Sequence, residues 1–195
     1  MQRAQFDETT PDPVGGTIER SKGRLNGVLT ENAADIVAAL IPPPSTARTI
    51  AAIRKVADEC LSYGIVAVTE AAVGFNNGFK VEWDIWNALR GDGGLPLRMG
   101  FMLRIDPNEA REYGLAPTGI DDRWQVRTLK FFVDGIIGAR TAAFFEPYAD
   151  RETAGLLMEP PADLRAKVID GHASGWQLAA HVIGDRGIDH WLECL

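Results

Sequence analysis

Four short apolar runs recur along this chain, with a helix-patterned segment between each pair, and this alternation constrains the fold more than any other feature. Ser45 suits the N-cap of a helix over 46–63, whose Ile50, Ile53, Val56, Ala57 and Cys60 recur at three- and four-residue spacing before Gly64 ends it. IVAVTEAA, from Ile65, then reads as a strand buried on both faces. A loop through Gly74, Asn76, Asn77 and Gly78 leads into a helix near 80–90, which GDGGLP terminates. LRMGFMLRI, from Leu97, is the second strand, and Asp106 and Pro107 open a short helix after it. VRTLKFFVDG, from Val126, is the third. A helix near 161–173 closed by Gly175 precedes the fourth, WQLAAHVIG, and a last helix follows Asp185. Strand and helix alternating at roughly 30-residue intervals is the rhythm of a parallel α/β sheet. The choice lies between an open sheet and a (β/α) barrel; no G-x-G-x-x-G or G-x-x-x-x-G-K-[ST] follows any strand to favour the nucleotide-binding open sheets.

The opening third reads differently. PDPVGG, SKGRLNG and IPPPS put Pro, Gly and Ser at short intervals, which predicts loop and insertion rather than core. Within it Thr30 is placed to cap a short helix through Leu40, which Pro42, Pro43 and Pro44 stop.

Composition then removes several function classes. A 46% hydrophobic content is too high for a disordered chain. No run approaches the roughly 20 apolar residues of a membrane span, and MQRAQFDETTPDP lacks a secretory apolar core, so the expected location is cytoplasmic, without a membrane partner. With 27 acidic against 20 basic residues the net charge of -7 offers nothing to a nucleic-acid backbone. Two distant cysteines, Cys60 and Cys194, make neither a disulfide framework nor a cysteine-rich metal site.

In parallel α/β proteins chemistry gathers at the C-terminal ends of strands. On the third strand, strict alternation groups Val126, Thr128, Lys130, Phe132 and Asp134 on one face. Lys130 is a lysine amid apolar neighbours, so its amine must be paired, shifted toward neutral or chemically modified. A salt bridge to Asp134 or to an acid on a neighbouring strand is the plain alternative. His181, near the end of the fourth strand, is either a hydrogen-bonded core residue or a ligand. Behind the third strand runs a loop of roughly 25 residues, a length common in functional lids. Asp134, Arg140, Glu70 and Asp185 are the further pocket candidates. A bridge to an arginine explains Glu70 equally well, and Asp185 suits a cap on the last helix. His172 suits a helix C-terminus, and His190 sits in the last helix. The tryptophans at 83, 86, 124, 176 and 191 are accounted for by packing.

The strings TPDPVGG, GRLNGVLTENAA, LKFFVDGIIGARTAAFFEPYAD, GLLMEPPADLRAKV and GWQLAAHVIGDRGID together resemble the amidohydrolase-3 group of the amidohydrolase superfamily, which includes N-substituted formamide deformylase-like enzymes. The resemblance implies a TIM-type metal-dependent (β/α)8 barrel, of which the four strands would be strands 2–5. Residues 1–45 would then form an insertion that shapes the substrate pocket, and residues 46–195 a partial barrel. By the matching motifs, Lys130 corresponds to a carboxylated lysine bridging two divalent metals, expected to be zinc, and His181 to a strand-5 histidine ligand. The implied reaction is hydrolysis of a non-peptide amide, formamide or related C–N bond in a small molecule by a metal-activated hydroxide. The family's H-x-H motif does not occur here, since the histidines are 172, 181 and 190. The strand-6 histidine and strand-8 aspartate motifs are also missing. The expectation is therefore an internal fragment, inactive by itself. The alternative is a non-catalytic partial barrel that works by association through its exposed strand edges, with a copy of itself or with a complementary chain.

Overall fold

A computed structural model describes residues 4–42, 44–119 and 123–195, so Pro43 of the proline run lies outside the described residues. The chain divides into two units: Met1–Pro42, Phe132–Ile169 and Ala180–Leu195 form one, and Pro43–Phe131 with Asp170–Ala179 the other.

The second unit carries the parallel sheet. α2 (Thr46–Ser62) begins where expected, with the Ser45 hydroxyl accepting from Arg48 N at 3.4 Å. β3 (Ala67–Val73), β4 (Arg98–Leu103) and β6 (Trp124–Phe132) pair in parallel, and β7 (Gln177–His181) pairs with β6, giving a four-strand sheet flanked by helices. A two-residue strand, β5 (Thr118–Gly119), which its composition does not announce, pairs antiparallel with the start of β6. α3 (Phe79–Gly91) presents Phe79, Trp83, Trp86 and Leu89 at helical spacing to the sheet. Phe101 of β4 sits among Trp83, Trp86 and Trp124, with ring centroids 5.9, 5.0 and 5.0 Å away, and this cluster is the centre of the unit's core. α4 (Pro107–Glu112) opens with a reciprocal capping box between Asp106 and Glu109.

Two expectations fail in this sheet. β3 is not buried on both faces: its residues alternate exposed and half-buried as far as Ala72, only Val73 at its end is buried, and Ile65 and Val66 before it are exposed. β3 is an edge strand with β4 as its neighbour in the sheet order, so the cover of a central strand is missing. Strict alternation also breaks in β6. Phe101 stands opposite Val126 but Met102 opposite Thr128, so Arg127 is an extra residue, a β-bulge. Thr128 and Leu129 are consequently both buried; Leu129 continues the face of Val126, and Lys130, two positions on from Thr128, shares the face of Gln125 instead.

In the first unit the opening segment is ordered strand, not loop. β1 (Gly16–Ser21) and β2 (Arg24–Glu31) form an antiparallel hairpin. Lys22 and Gly23 at its tip both take positive φ (52° and 76°), the left-handed pair whose twist matches that of two right-twisted strands. Thr30 belongs to β2 and caps nothing; α1 (Asn32–Ala38) follows Glu31 without a side-chain cap and stops short of Leu40. The long connection from β6 to α5 (Pro161–Ala173) has no regular strand or helix but is closely tied: Phe144 N donates to Ala154 O at 2.8 Å and Tyr148 Oη to Ala142 O at 3.0 Å. α6 (Asp185–Cys194) closes the chain. Gly184, not Asp185, is its N-cap.

Candidate functional site at the strand ends

Each candidate residue can be followed to its surroundings. Asp134, just beyond β6, is 1% exposed. Its carboxylate accepts three backbone N–H groups, from Ala143 at 2.8 Å, Ile183 at 2.9 Å and Gly184 at 2.7 Å. One buried anion thus gathers the long loop and the β7-to-α6 turn around the end of β6. Gly187, on the first turn of α6, leaves room for it: a Cβ there would lie 2.7 Å from Asp134 Oδ2. The burial of a charge is offset here by charge-assisted hydrogen bonds.

His181 ends β7 in the same unit. Its backbone O accepts from Val133 N at 2.9 Å, and its ring stacks on Phe132 at 5.5 Å. Nε2 lies 3.0 Å from the carbonyl oxygen of Gly135. A carbonyl only accepts, so Nε2 carries a proton, and in the neutral ring Nδ1 then keeps the lone pair. A histidine held this way by a backbone carbonyl has the arrangement usual for a metal ligand.

Lys130 is in the other unit, half-buried on the open face of β6, where burial pushes its amine below the ordinary lysine range. Glu70 stands in the middle of β3 rather than at its end. It lines an apolar cavity of about 380 Å³ between α2 and the sheet with Ile53, Val56, Trp86 and Leu97, and its Oε1 accepts from Ala72 N at 3.2 Å. Arg140 ion-pairs with Asp150 and donates to Gly138 O at 2.6 Å; Asp150 holds the guanidinium above its usual range, and Arg140 holds the Asp150 carboxyl below its own. Asp185 Oδ1 accepts from Phe145 N at 2.9 Å and Arg186 N at 2.7 Å, which ties α6 to the long loop. The fold therefore brings Asp134, His181 and Asp185 to one set of turns, with Arg140 engaged farther along the loop.

A residue that carries no functional signal in the sequence joins this set. Glu31, at the end of β2, accepts a hydrogen bond from the Thr141 hydroxyl across 110 positions. A Cβ on Gly135 would overlap both the Thr141 hydroxyl and the Glu31 carboxylate, so the glycine is what lets the hairpin reach the end of β6.

Of the remaining histidines, His172 is exposed in the last turn of α5, and His190 lies half-buried with Nε2 3.9 Å from Cys194 Sγ. Cys194 is 4% exposed, and burial raises its thiol pKa, while Cys60 is partly exposed. Because the thiolate is the reactive form, a thiol reagent at pH 8 is expected to modify Cys60 at least about tenfold faster than Cys194. Equal rates, followed by peptide mass mapping, would contradict that burial.

Among the described residues no group of three or more His, Cys, Asp and Glu is arranged to hold a metal ion, and no helix is long and apolar enough to cross a membrane. The donor chemistry fits a metal in part: His181 presents a free Nδ1, and Lys130 an amine of lowered basicity.

The sequence matches the profile of the Amidohydrolase family over residues 1–194. It is 25% identical over 200 residues to YtcJ of Bacillus subtilis (strain 168), which is named as an amidohydrolase, covering 100% of this chain and 37% of that protein. It is 26% identical over 193 residues to Protein LONG AFTER FAR-RED 3 of Arabidopsis thaliana, covering 94% and 33%. Crystal structures of uncharacterized metal-dependent hydrolases share the fold: one from Pyrococcus horikoshii OT3 (TM-score 0.67, 22% identity, 83% of this chain and 32% of that one) and one from Pyrococcus furiosus (TM-score 0.69, 24%, 90% and 38%). The chain thus spans about a third of the length of these relatives.

Proposed function

The chain belongs to the amidohydrolase family, and from that premise we propose that it supplies part of the metal site of a hydrolase acting on non-peptide C–N bonds, in amides, formamides or related small molecules. The observation that carries the reading is His181, whose Nε2–H is committed to the Gly135 carbonyl and whose Nδ1 lone pair is left for a ligand. Lys130 is the second donor. Its amine, less basic than an ordinary lysine, keeps a larger neutral fraction at a given pH, and that fraction attacks carbon dioxide and releases a proton to become a carbamate. The carbamate converts a cation that is costly to bury into an anionic oxygen donor. A divalent metal, zinc by preference, would polarise the substrate and lower the pKa of water when bound. Asp134 binds no substrate in this reading; it holds the turns that carry Gly135 and His181. Two donors do not close a metal site, so the others come from outside the described residues, within a larger barrel of which β3, β4, β6 and β7 are a part.

The test is metal content and turnover. The 195-residue chain alone is expected to bind less than one metal per chain and to hydrolyse no simple formamide or amide. The protein isolated from its source is expected to do so only with a divalent metal, with Lys130→Ala and His181→Ala each lowering kcat by at least about 100-fold. Turnover that survives chelation, or is unchanged by both substitutions, overturns the proposal.

A further inference from the structure

We propose that Glu31 is a positioning residue for His181, acting through the Thr141 hydroxyl and the Gly135–Ile136 peptide to hold the imidazole as its Nε2–H tautomer. The inference rests on the reading of His181 as a ligand only for its purpose; the physical chain stands on its own contacts, all within the first unit.

The peptide between Gly135 and Ile136 is a rigid plane, with its C=O and N–H pointing in opposite directions. The carbonyl end accepts from His181 Nε2 at 3.0 Å, and the N–H end donates to Thr141 Oγ1 at 2.9 Å. Anchoring one end therefore sets the direction of the other. Thr141 is itself fixed through its backbone, since Gly135 N donates to Thr141 O at 3.2 Å and Thr141 N to Ile136 O at 3.1 Å. Its hydroxyl has two acceptors in reach, the Glu31 carboxylate and, at 3.3 Å, Ile136 O, and a hydroxyl held by neither would be free to turn its hydrogen toward Ile136 N–H. Glu31 is the nearer and the charged acceptor of that hydroxyl hydrogen, which leaves an oxygen lone pair for Ile136 N–H. The order is then carboxylate, hydroxyl, peptide, imidazole, each hydrogen bond polarising the next.

The backbone of Glu31 supports a specific task at this position. It sits at φ 49°, ψ −130°, a conformation that L residues with side chains rarely adopt, at the junction of β2 and α1. With Gly135 lacking a Cβ, this conformation lets the carboxylate reach the end of β6 from a hairpin that is distant in sequence.

Long-range nitrogen–proton NMR of the imidazole ring in the metal-free 195-residue chain reads the tautomer directly. The wild type is expected to show neutral His181 protonated at Nε2. Thr141→Val and Glu31→Ala are each expected to lower the ratio of Nε2–H to Nδ1–H by about tenfold, the scale of one lost hydrogen bond. Thr141→Ser and Glu31→Gln, which keep the hydroxyl and the acceptor oxygen, are expected to restore it. A wild-type ring protonated at Nδ1, or folded Thr141→Val and Glu31→Ala chains with the wild-type ratio, overturns the proposal. Should Glu31→Ala fail to fold, Glu31→Asp, whose shorter carboxylate falls short of Thr141, takes its place beside Glu31→Gln; equal ratios in those two also overturn it. No metal enters the measurement, so an intact tautomer together with turnover of the protein from its source that survives chelation would sink the hydrolase reading alone.

Discussion

Asp134→Ala is expected to lower the stability of the chain by about 4 kcal/mol, because three backbone N–H groups lose a buried, charged acceptor at one stroke. Each buried donor left without a partner costs about 1–3 kcal/mol, and water entering the space recovers part of the sum. The loss would fall on the turns that carry His181, Gly184 and Ala143, so the first unit should loosen before the rest. Asp134→Asn is expected to do little better. Its amide retains one acceptor oxygen but turns an NH2 toward N–H donors that the second carboxylate oxygen now serves. Urea unfolding followed by circular dichroism measures both, and a loss below about 1 kcal/mol for Asp134→Ala would mean that these hydrogen bonds are dispensable. Against a domain stability of about 5–15 kcal/mol, the expected loss brings a chain of this size close to unfolding at 37 °C.

Phe101→Ala is expected to cost about 3–5 kcal/mol in the second unit. The side chain is fully buried, and its ring touches three tryptophans, Trp83 and Trp86 edge-on and Trp124 at a tilt. Removing it opens a void that large, stiff neighbours cannot fill, and it forfeits aromatic pairings worth about 0.5–1.5 kcal/mol each beyond area burial. The near-ultraviolet circular dichroism of the chain should drop sharply, since those three of its five tryptophans report on this cluster. Phe101→Leu, which keeps most of the apolar volume, should lose well under half as much. An unchanged near-ultraviolet spectrum in Phe101→Ala would contradict the packing described for α3 and β4.

The regular half of the molecule was legible because its signals are local. Helix periodicity over 46–63, the Ser45 cap, the Asp106–Pro107 helix start and the apolar runs each rest on residues a few positions apart. The hairpin of β1 and β2 was harder to see. Its strands carry Arg, Glu and Asn among few apolar residues, and the Lys22–Gly23 tip looks like any polar loop until its φ angles are known. The bulge at Arg127 left no mark either. It depends on how β6 lies against β4, and one inserted residue moved Lys130 onto a face that strict alternation does not give it.

The candidate site divides in the same way. Lys130 and His181 stand out by residue type and strand position, and the strings around them resemble the family to which the chain belongs. Asp134, in the LKFFVDG string, is conspicuous as a residue, yet only the fold reveals that its carboxylate is spent on three backbone N–H groups. Glu31 and Thr141 pair across 110 positions, a distance at which no pattern in the chain announces a contact.

By itself, then, the sequence determined the order of the four parallel strands and the helices between them, the α/β class, the chemical character of the two metal-ligand candidates and the family. These follow from near-neighbour periodicity, capping and residue type, which any short window of chain carries. The tertiary structure alone decided which face Lys130 takes, which nitrogen of His181 is free and what Asp134 and Glu31 hold in place. Those are directional contacts between segments far apart in the chain, and hydrogen bonds of that kind exist only once folding has brought their donors and acceptors within about 3 Å.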